Sequence, residues 1–265
     1  MPEDNKHVFV YWVQERDRIA IKKMRGDAKP WTEDAVFKHT YFCNTDRELD
    51  KVTKAIRGLY GPQHPDIPSI PNMVMARLVN KPESLERMCW PWSKFYDRMW
   101  TAVMSQPGAW GGAYIVSTNG RAMPKHEYIA GLLEDAFEQF GVGACASIPP
   151  TLRAHSRAIQ GLQGMGSFMA AQVVADLKNT EKHPLANADD WHTWSSHGPG
   201  SLRGLSWFHG HKITPGTYAE SIASAREWYH NSGYTDAIAH LCNQNLQNCF
   251  CEYDKYQRVR NNTGR

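Results

Sequence analysis

Residues 151–177, TLRAHSRAIQGLQGMGSFMAAQVVADL, constrain this chain more than any other stretch. Leu152, Ala158, Ile159 and Leu162 recur at helical spacing. Gly164-Met165-Gly166 then interrupts the pattern, because a residue without Cβ turns this tightly at no steric cost. Ser167 is expected to cap a second helix whose buried stripe is Phe168, Ala171, Val174 and Leu177. The stretch reads as helix, tight hairpin, helix, in a chain that is mainly α. Such a turn leaves backbone N–H groups at a helix N-terminus, where the dipole favours an anion. Gly164, Gly166 and Ser167 are therefore candidate DNA-phosphate ligands, and an ordinary αα-hairpin fits the same pattern.

The remaining chain supports the same class. Helices are expected over 7–25, from a start at Trp31-Thr32-Glu33-Asp34 with Thr32 as cap, and over 72–79, 82–88, 92–105, 127–140 and 219–230. Met73, Met75, Leu78, Leu85, Met88, Trp92, Phe95, Met99 and Val103 read as core. Thr45-x-x-Glu48 reads as a capping box before Leu49, Val52 and Ile56. Residues 59–72 hold four prolines and read as a loop. Near 110–120, Tyr114-Ile115-Val116-Ser117-Thr118 has strand propensity between glycine turns, so a short β-hairpin or an irregular loop fits. The segment 185–212, rich in Gly, Ser, His and Trp, reads as a functional loop. A last helix is expected over 234–259, burying Ala237, Leu241, Leu246, Cys249 and Phe250.

A chain of 265 residues makes one helical unit, or two lobes of about 1–145 and 146–265 with a cleft between them. The 30 basic residues exceed the 27 acidic ones by only three, so any nucleic-acid contact must come from local placement of charge. No apolar run approaches the ~20 residues that span a bilayer. The scattered cysteines imply reduced thiols in a cytosol. No cysteine follows Cys251 to complete an iron–sulfur set with Cys242 and Cys249, and His209-Gly210-His211 has no Cys or acid at zinc spacing, so no metal is expected.

Three groups of residues could carry chemistry. Cys43, Asn44, Arg47, Glu48 and Asp50 crowd one helix start, either as caps and a solvated face or as a cluster facing a substrate. An exposed Cys43 beside Arg47 would have a lowered pKa. Asp189 and Asp190 are either an acidic loop or a carboxylate held near a base. Glu252, Asp254, Lys255 and Arg258 lie within two helical turns, as an ion-paired face or in a cleft.

The run Leu162-Gln163-Gly164-Met165-Gly166-Ser167-Phe168-Met169-Ala170 resembles the helix-hairpin-helix signature of the DNA-glycosylase superfamily. That resemblance implies a glycosylase-like helical fold. It also implies a hairpin gripping DNA phosphate, often with a monovalent cation, and a catalytic Asp about twenty residues on, matched here by Asp189 and Asp190. A wider set of motifs goes further. It comprises Pro30-Trp31-Thr32, Phe42-Cys43-Asn44-x-x-Arg47-Glu48-x-Asp50, Gly198-Pro199-Gly200-Ser201-x-Arg203-Gly204-Leu205, and Cys251-Glu252-Tyr253-Asp254-Lys255-Tyr256. Together they resemble the α-glutamyl/putrescinyl thymine pyrophosphorylase family, the amino acid:DNA transferases of bacteriophages.

The resemblance implies an enzyme acting on double-stranded DNA in the cytoplasm of an infected bacterium. A partner kinase pyrophosphorylates 5-hydroxymethyluracil. The transferase then expels pyrophosphate and attaches an amino acid or amine to the exocyclic carbon, with no required cofactor. Asn44, Arg47, Arg203, Glu252, Asp254 and Lys255 would bind substrate, with the cations cradling the leaving group. Two routes are open: Cys43 adds at C6, or a carboxylate (Asp190, Asp189 or Glu48) deprotonates the amine while the ring expels pyrophosphate unaided, the preferred route. The competing functions are a DNA glycosylase, which the hairpin and an Asp would suffice for, and a non-catalytic DNA-binding module.

Overall fold

The computed structural model describes residues 4–62, 64–114, 116–234 and 241–263. Every helix or strand among them is a helix. In chain order these are α1 (Asn5–Arg25), α2 (Ala35–His39), α3 (Lys51–Tyr60), α4 (Ser69–Val79), α5 (Pro82–Arg87) and α6 (Asp97–Met104), then α7 (Lys125–Gln139), α8 (Leu152–Gln160), α9 (Ser167–Lys178), α10 (Pro199–His209), α11 (Tyr218–Asn231) and α12 (Asn243–Arg260). The chain forms two compact units, Met1–Asp50 with His192–Arg265, and Lys51–Trp191. The boundary expected near residue 145 falls inside the second unit. No helix among the described residues is long and apolar enough to cross a membrane.

The first unit is built on α1. Asp4 caps it by accepting from the Lys6 amide at 3.0 Å, and Gly26, at φ 76°, closes it in the left-handed region. Its buried stripe of Phe9, Trp12, Val13 and Ile19 is joined by Phe250, stacked on Phe9 at 4.4 Å between centroids. The cap of α2 is Asp34, which accepts from Val36 and Phe37 at 2.7 and 3.0 Å. Thr32, expected as that cap, instead donates to the buried carboxylate of Glu15.

The Gly-rich run after His197 is helical, not a loop, with Pro199 suited to the first turn of α10. Its glycines serve packing. A Cβ on Gly204 would lie 1.9 Å from the Phe250 carbonyl oxygen, and one on Gly200 2.5 Å from Cys251 Sγ. The backbones of α10 and α12 thus approach as only glycine permits. Because backbone must move, Gly204→Ala is expected to cost the first unit about 3 kcal/mol in chemical denaturation. A change below about 0.5 kcal/mol would contradict this packing. In the last helix, Leu246, Cys249 and Phe250 are buried as expected, but α12 starts at Asn243, and Ala237 lies outside the described residues.

In the second unit every residue of α4 is buried. Of the core set, Met99 is exposed and Phe95 only half-buried, and the others are buried. The expected hairpin is present as α8, a turn and α9. Gly164 adopts φ 100°, and a Cβ there would meet Tyr128 Oη at 2.8 Å, so glycine is required twice over. Gly166, not Ser167, occupies the cap position of α9, and no side chain caps that helix. Ala171, Val174 and Leu177 are buried, but Phe168 is exposed and packs its ring edge against Tyr114 at 5.6 Å. Around Tyr114 the described residues form an irregular loop, with no strand; Ile115 lies outside them. The capping box at Thr45 is also absent. Asp46 caps a short 3-10 turn, Arg47–Leu49, while Thr45 donates to Asp17 at 2.5 Å.

His183 is 1 % exposed, and burial pushes its pKa down to about 3 from 6.5. Between those values the unfolded chain binds the proton that the folded ring refuses. Stability is therefore expected to fall as pH drops from about 6.5 toward 3. His183→Gln should flatten that part of a stability–pH curve, and an unchanged slope would contradict the assignment.

Candidate active site

The sequence-derived residues fall into separate settings. In the second unit, Asp190 is a structural cap. Its carboxylate accepts from the amides of Leu152 at 2.7 Å and Arg153 at 3.0 Å, closing the N-terminus of α8. Asp189 beside it is exposed. Gly164, Gly166 and Ser167 form the hairpin turn, where α9 presents its first-turn amides without a side-chain cap.

In the first unit, the structure brings Cys43, Asn44, Glu252 and Lys255 together. The Cys43 amide donates to Glu252 Oε2 at 3.2 Å, and Lys255 Nζ lies 3.6 Å from the same oxygen. Asn44 Nδ2 donates to Asp50 Oδ1 at 2.7 Å. Cys43 is half-buried, and burial with nearby Glu252 and Asp50 pushes its thiol up to about 12. The lowering expected of an exposed Cys43 therefore does not apply, and such a thiol is protonated at neutral pH. Burial also raises the Asp50 carboxyl, against the opposing Asn44 hydrogen bonds and the Arg47 and Arg16 charges. Arg47 and Glu48 sit half-buried in the turn that Asp46 caps.

Arg203 and Asp254 form a different group. Asp254 is 1 % exposed and accepts from Arg203 Nε and Nη2 at 3.0 and 2.9 Å and from Arg258 Nε at 3.2 Å. Positions two apart on a helix diverge, so Asp254 and Glu252 leave α12 in different directions. The guanidinium of Arg203 is thus engaged by a buried carboxylate.

The structure adds a feature that the motifs miss. Arg16 is 5 % exposed on the same face of α1 as Trp12 and Ile19. Its Nε donates to the Phe42 and Cys43 carbonyls at 3.2 and 2.9 Å, and Nη2 to Asn44 Oδ1. Its Nη1 is buried and has no hydrogen-bond partner. Arg16 lines a cavity of about 350 Å³ with Lys23, Lys29, Trp31, Lys38 and Tyr41. Lys23 and Lys29 stand over the Trp31 ring at 4.7 and 5.0 Å. Among the described residues, none lining the cavity is acidic. The Lys23 pKa is lowered, first by burial and then by the charges of Arg16 and Lys29. Crowded cations with an aromatic face and no acidic residue in the lining make a site for an anionic aromatic ligand, although Lys38 is paired with Glu33 at 2.8 Å. The signal was in the sequence: an arginine four residues after Trp12 and three before Ile19, inside an apolar stripe.

The histidines of the Gly-rich run do not form a metal set. His209 Nε2 meets the Ser221 carbonyl at 2.9 Å, and His211 Nδ1 the His209 carbonyl at 3.1 Å. Among the described residues the cysteines are all free thiols. No curated protein and no solved structure matches the chain. One family model does, the helical domain of 5-hmdU DNA kinase, over residues 4–265. Since that match covers nearly the whole chain, the protein belongs to the 5-hmdU DNA kinase helical-domain family, one related to phage thymine hypermodification.

Proposed function

We propose that the protein is an amino acid:DNA transferase that exchanges the pyrophosphate of 5-pyrophosphoryloxymethyluracil for an amine. The observation that carries this reading is the carboxylate-free cavity of Arg16, Lys23, Lys29 and Trp31. A phosphorylated base presents what such a cavity takes, a flat ring and a multiply charged tail. Reaching it requires the base to leave the stack, at about a few kcal/mol. The uncapped start of α9 after Gly166 offers amides to a DNA phosphate.

In the reaction, the N1 lone pair pushes through C6 and C5, and the exocyclic C–O bond breaks with its electron pair leaving on pyrophosphate. Arg16, Lys23 and Lys29 take up that charge. The amine nitrogen then bonds to the exocyclic carbon, and its surplus proton passes to a carboxylate. Asp50 is the carboxylate suited to this, because burial makes it more basic than an exposed Asp and Asn44 ties it to Arg16. Asp190 is already held by two amides. With the Cys43 thiol near 12, expulsion of pyrophosphate by the ring alone is favoured over addition of Cys43 at C6.

The rate is expected to rise with pH along a limb above the ordinary Asp range, since the base acts deprotonated. Asp50→Asn should remove that limb and lower kcat by about 10²–10⁴-fold. An unchanged profile would take Asp50 out of the mechanism. Release of pyrophosphate from DNA carrying the pyrophosphorylated base, dependent on added amine, tests the reaction itself. The family match favours a second reading, in which this domain presents 5-hydroxymethyluracil to a kinase. That reading predicts faster phosphorylation by the kinase and no release of pyrophosphate from the modified base.

A further inference from the structure

The reaction proposed above uses none of three metal-ligating side chains that meet in the second unit. Cys145 lies in the 3-10 turn Ala144–Ser147 before α8, His155 on α8, and His183 just after α9. Their ligand atoms all lie within 4.8 Å of one another. His155 and His183 are 0 % and 1 % exposed, and the Nε2 atom of each is buried with no hydrogen-bond partner. Buried polar atoms are nearly always satisfied, so two neighbouring orphans need an explanation.

The surroundings prepare these groups as ligands. His155 Nδ1 lies 3.1 Å from the Thr151 carbonyl, so Nδ1–H donates there and Nε2 keeps its lone pair. Cys145 Sγ lies 3.4 Å from Ser69 Oγ and accepts from the Ile70 amide in the first turn of α4. These contacts oppose the burial that raises the Cys145 thiol, and a bound metal would displace its proton.

We propose that Cys145 Sγ, His155 Nε2 and His183 Nε2 bind one zinc(II) ion that staples the α8–α9 hairpin to the segments before and after it. One thiolate and two imidazoles are a borderline set suited to zinc. A water would complete the four-coordinate set. Zinc bonds of about 2.0–2.3 Å require the ligand atoms to draw closer together, by rotation at Cys145. His183 sets a condition. The Leu185 amide donates to its Nδ1 at 3.1 Å, which puts the ring proton on Nε2. On binding, that proton transfers to Nδ1, the Leu185 contact is given up, and the Cys145 thiol proton is released. Three metal–ligand bonds replace one neutral hydrogen bond and one S–H.

The test is titration of the chelator-treated full chain with cobalt(II), then zinc(II). The expected result is one cobalt per chain, with intense tetrahedral visible bands and a near-ultraviolet thiolate-to-cobalt band, both abolished by zinc. Zinc should raise the unfolding midpoint and speed solvent exchange of the Leu185 amide. Cys145→Ser should lose the near-ultraviolet band and weaken zinc binding by more than about tenfold. His183→Gln should weaken zinc binding likewise, with circular dichroism showing both variants folded. Cobalt remaining in its pale hexaaqua form beside folded protein would overturn the proposal. So would a full thiolate band in Cys145→Ser, since another cysteine would then be the ligand.

Discussion

Asp176→Asn is expected to destabilise the second unit by about 3–5 kcal/mol, because it leaves a buried arginine without its counter-charge. Asp176 is 0 % exposed and Arg77 2 %. Arg77 Nε and Nη2 meet the two carboxylate oxygens at 2.5 and 2.6 Å, and Nη2 reaches Thr53 Oγ1 at 3.1 Å. Arg57 adds a second cation at 3.7 Å and donates to the Asp176 carbonyl at 2.8 Å. The pair therefore ties α3, α4 and α9 through one carboxylate. The double variant Arg77→Met/Asp176→Leu should cost much less than the single change, since no charge is left buried. Urea denaturation of the three proteins measures this. A single-variant loss below about 1 kcal/mol would mean that water reaches the site.

Arg16→Met should lower transfer activity by about 10²–10³-fold, the usual effect of removing a charged donor aimed at developing negative charge. Arg16→Lys should not restore it. An ammonium cannot hold the carbonyls of Phe42 and Cys43 and the Asn44 side chain together while lining the cavity. Because Arg16 is also a packing element of α1, Lys29→Ala is the companion variant. Lys29 is exposed at the cavity rim, so its loss should raise KM for modified DNA with the fold intact. Unmodified DNA should bind both variants nearly as it binds the original, and equal losses on both DNAs would point to a general electrostatic effect.

Helix and hairpin were legible because their determinants are local. Apolar spacing marks α8 and α9, and the need for Gly164 shows directly in its φ of 100°. The Gly198–Leu205 run misled for a physical reason. Glycine suggests a loop when its only visible property is freedom, yet Gly200 and Gly204 are there because α12 lies against them. That partner is about fifty residues away in sequence, and no periodicity announces it. Thr45 and Ser167 carried capping chemistry, but Asp46 and the backbone at Gly166 hold those positions. Of the site, the Cys43–Asp50 cluster follows the motifs, whereas its contact with Glu252 is tertiary and shows only in the structure. The sign of the Cys43 shift did not, because burial outweighs nearby cations and burial is a tertiary property. Asp190 shows the converse, since a carboxylate at a suggestive spacing also closes a helix N-terminus.

Transfer of an amine to the base is read most directly by nucleoside mass spectrometry. Duplex DNA carrying 5-pyrophosphoryloxymethyluracil is incubated once with the protein and a mixture of amino acids and polyamines, then digested to nucleosides. The expected product is a nucleoside whose mass is that of thymidine with one amine joined to its exocyclic carbon, formed with release of pyrophosphate and lost in the Arg16→Met protein. Recovery of free base and abasic sites, or of the substrate nucleoside unchanged, would contradict it.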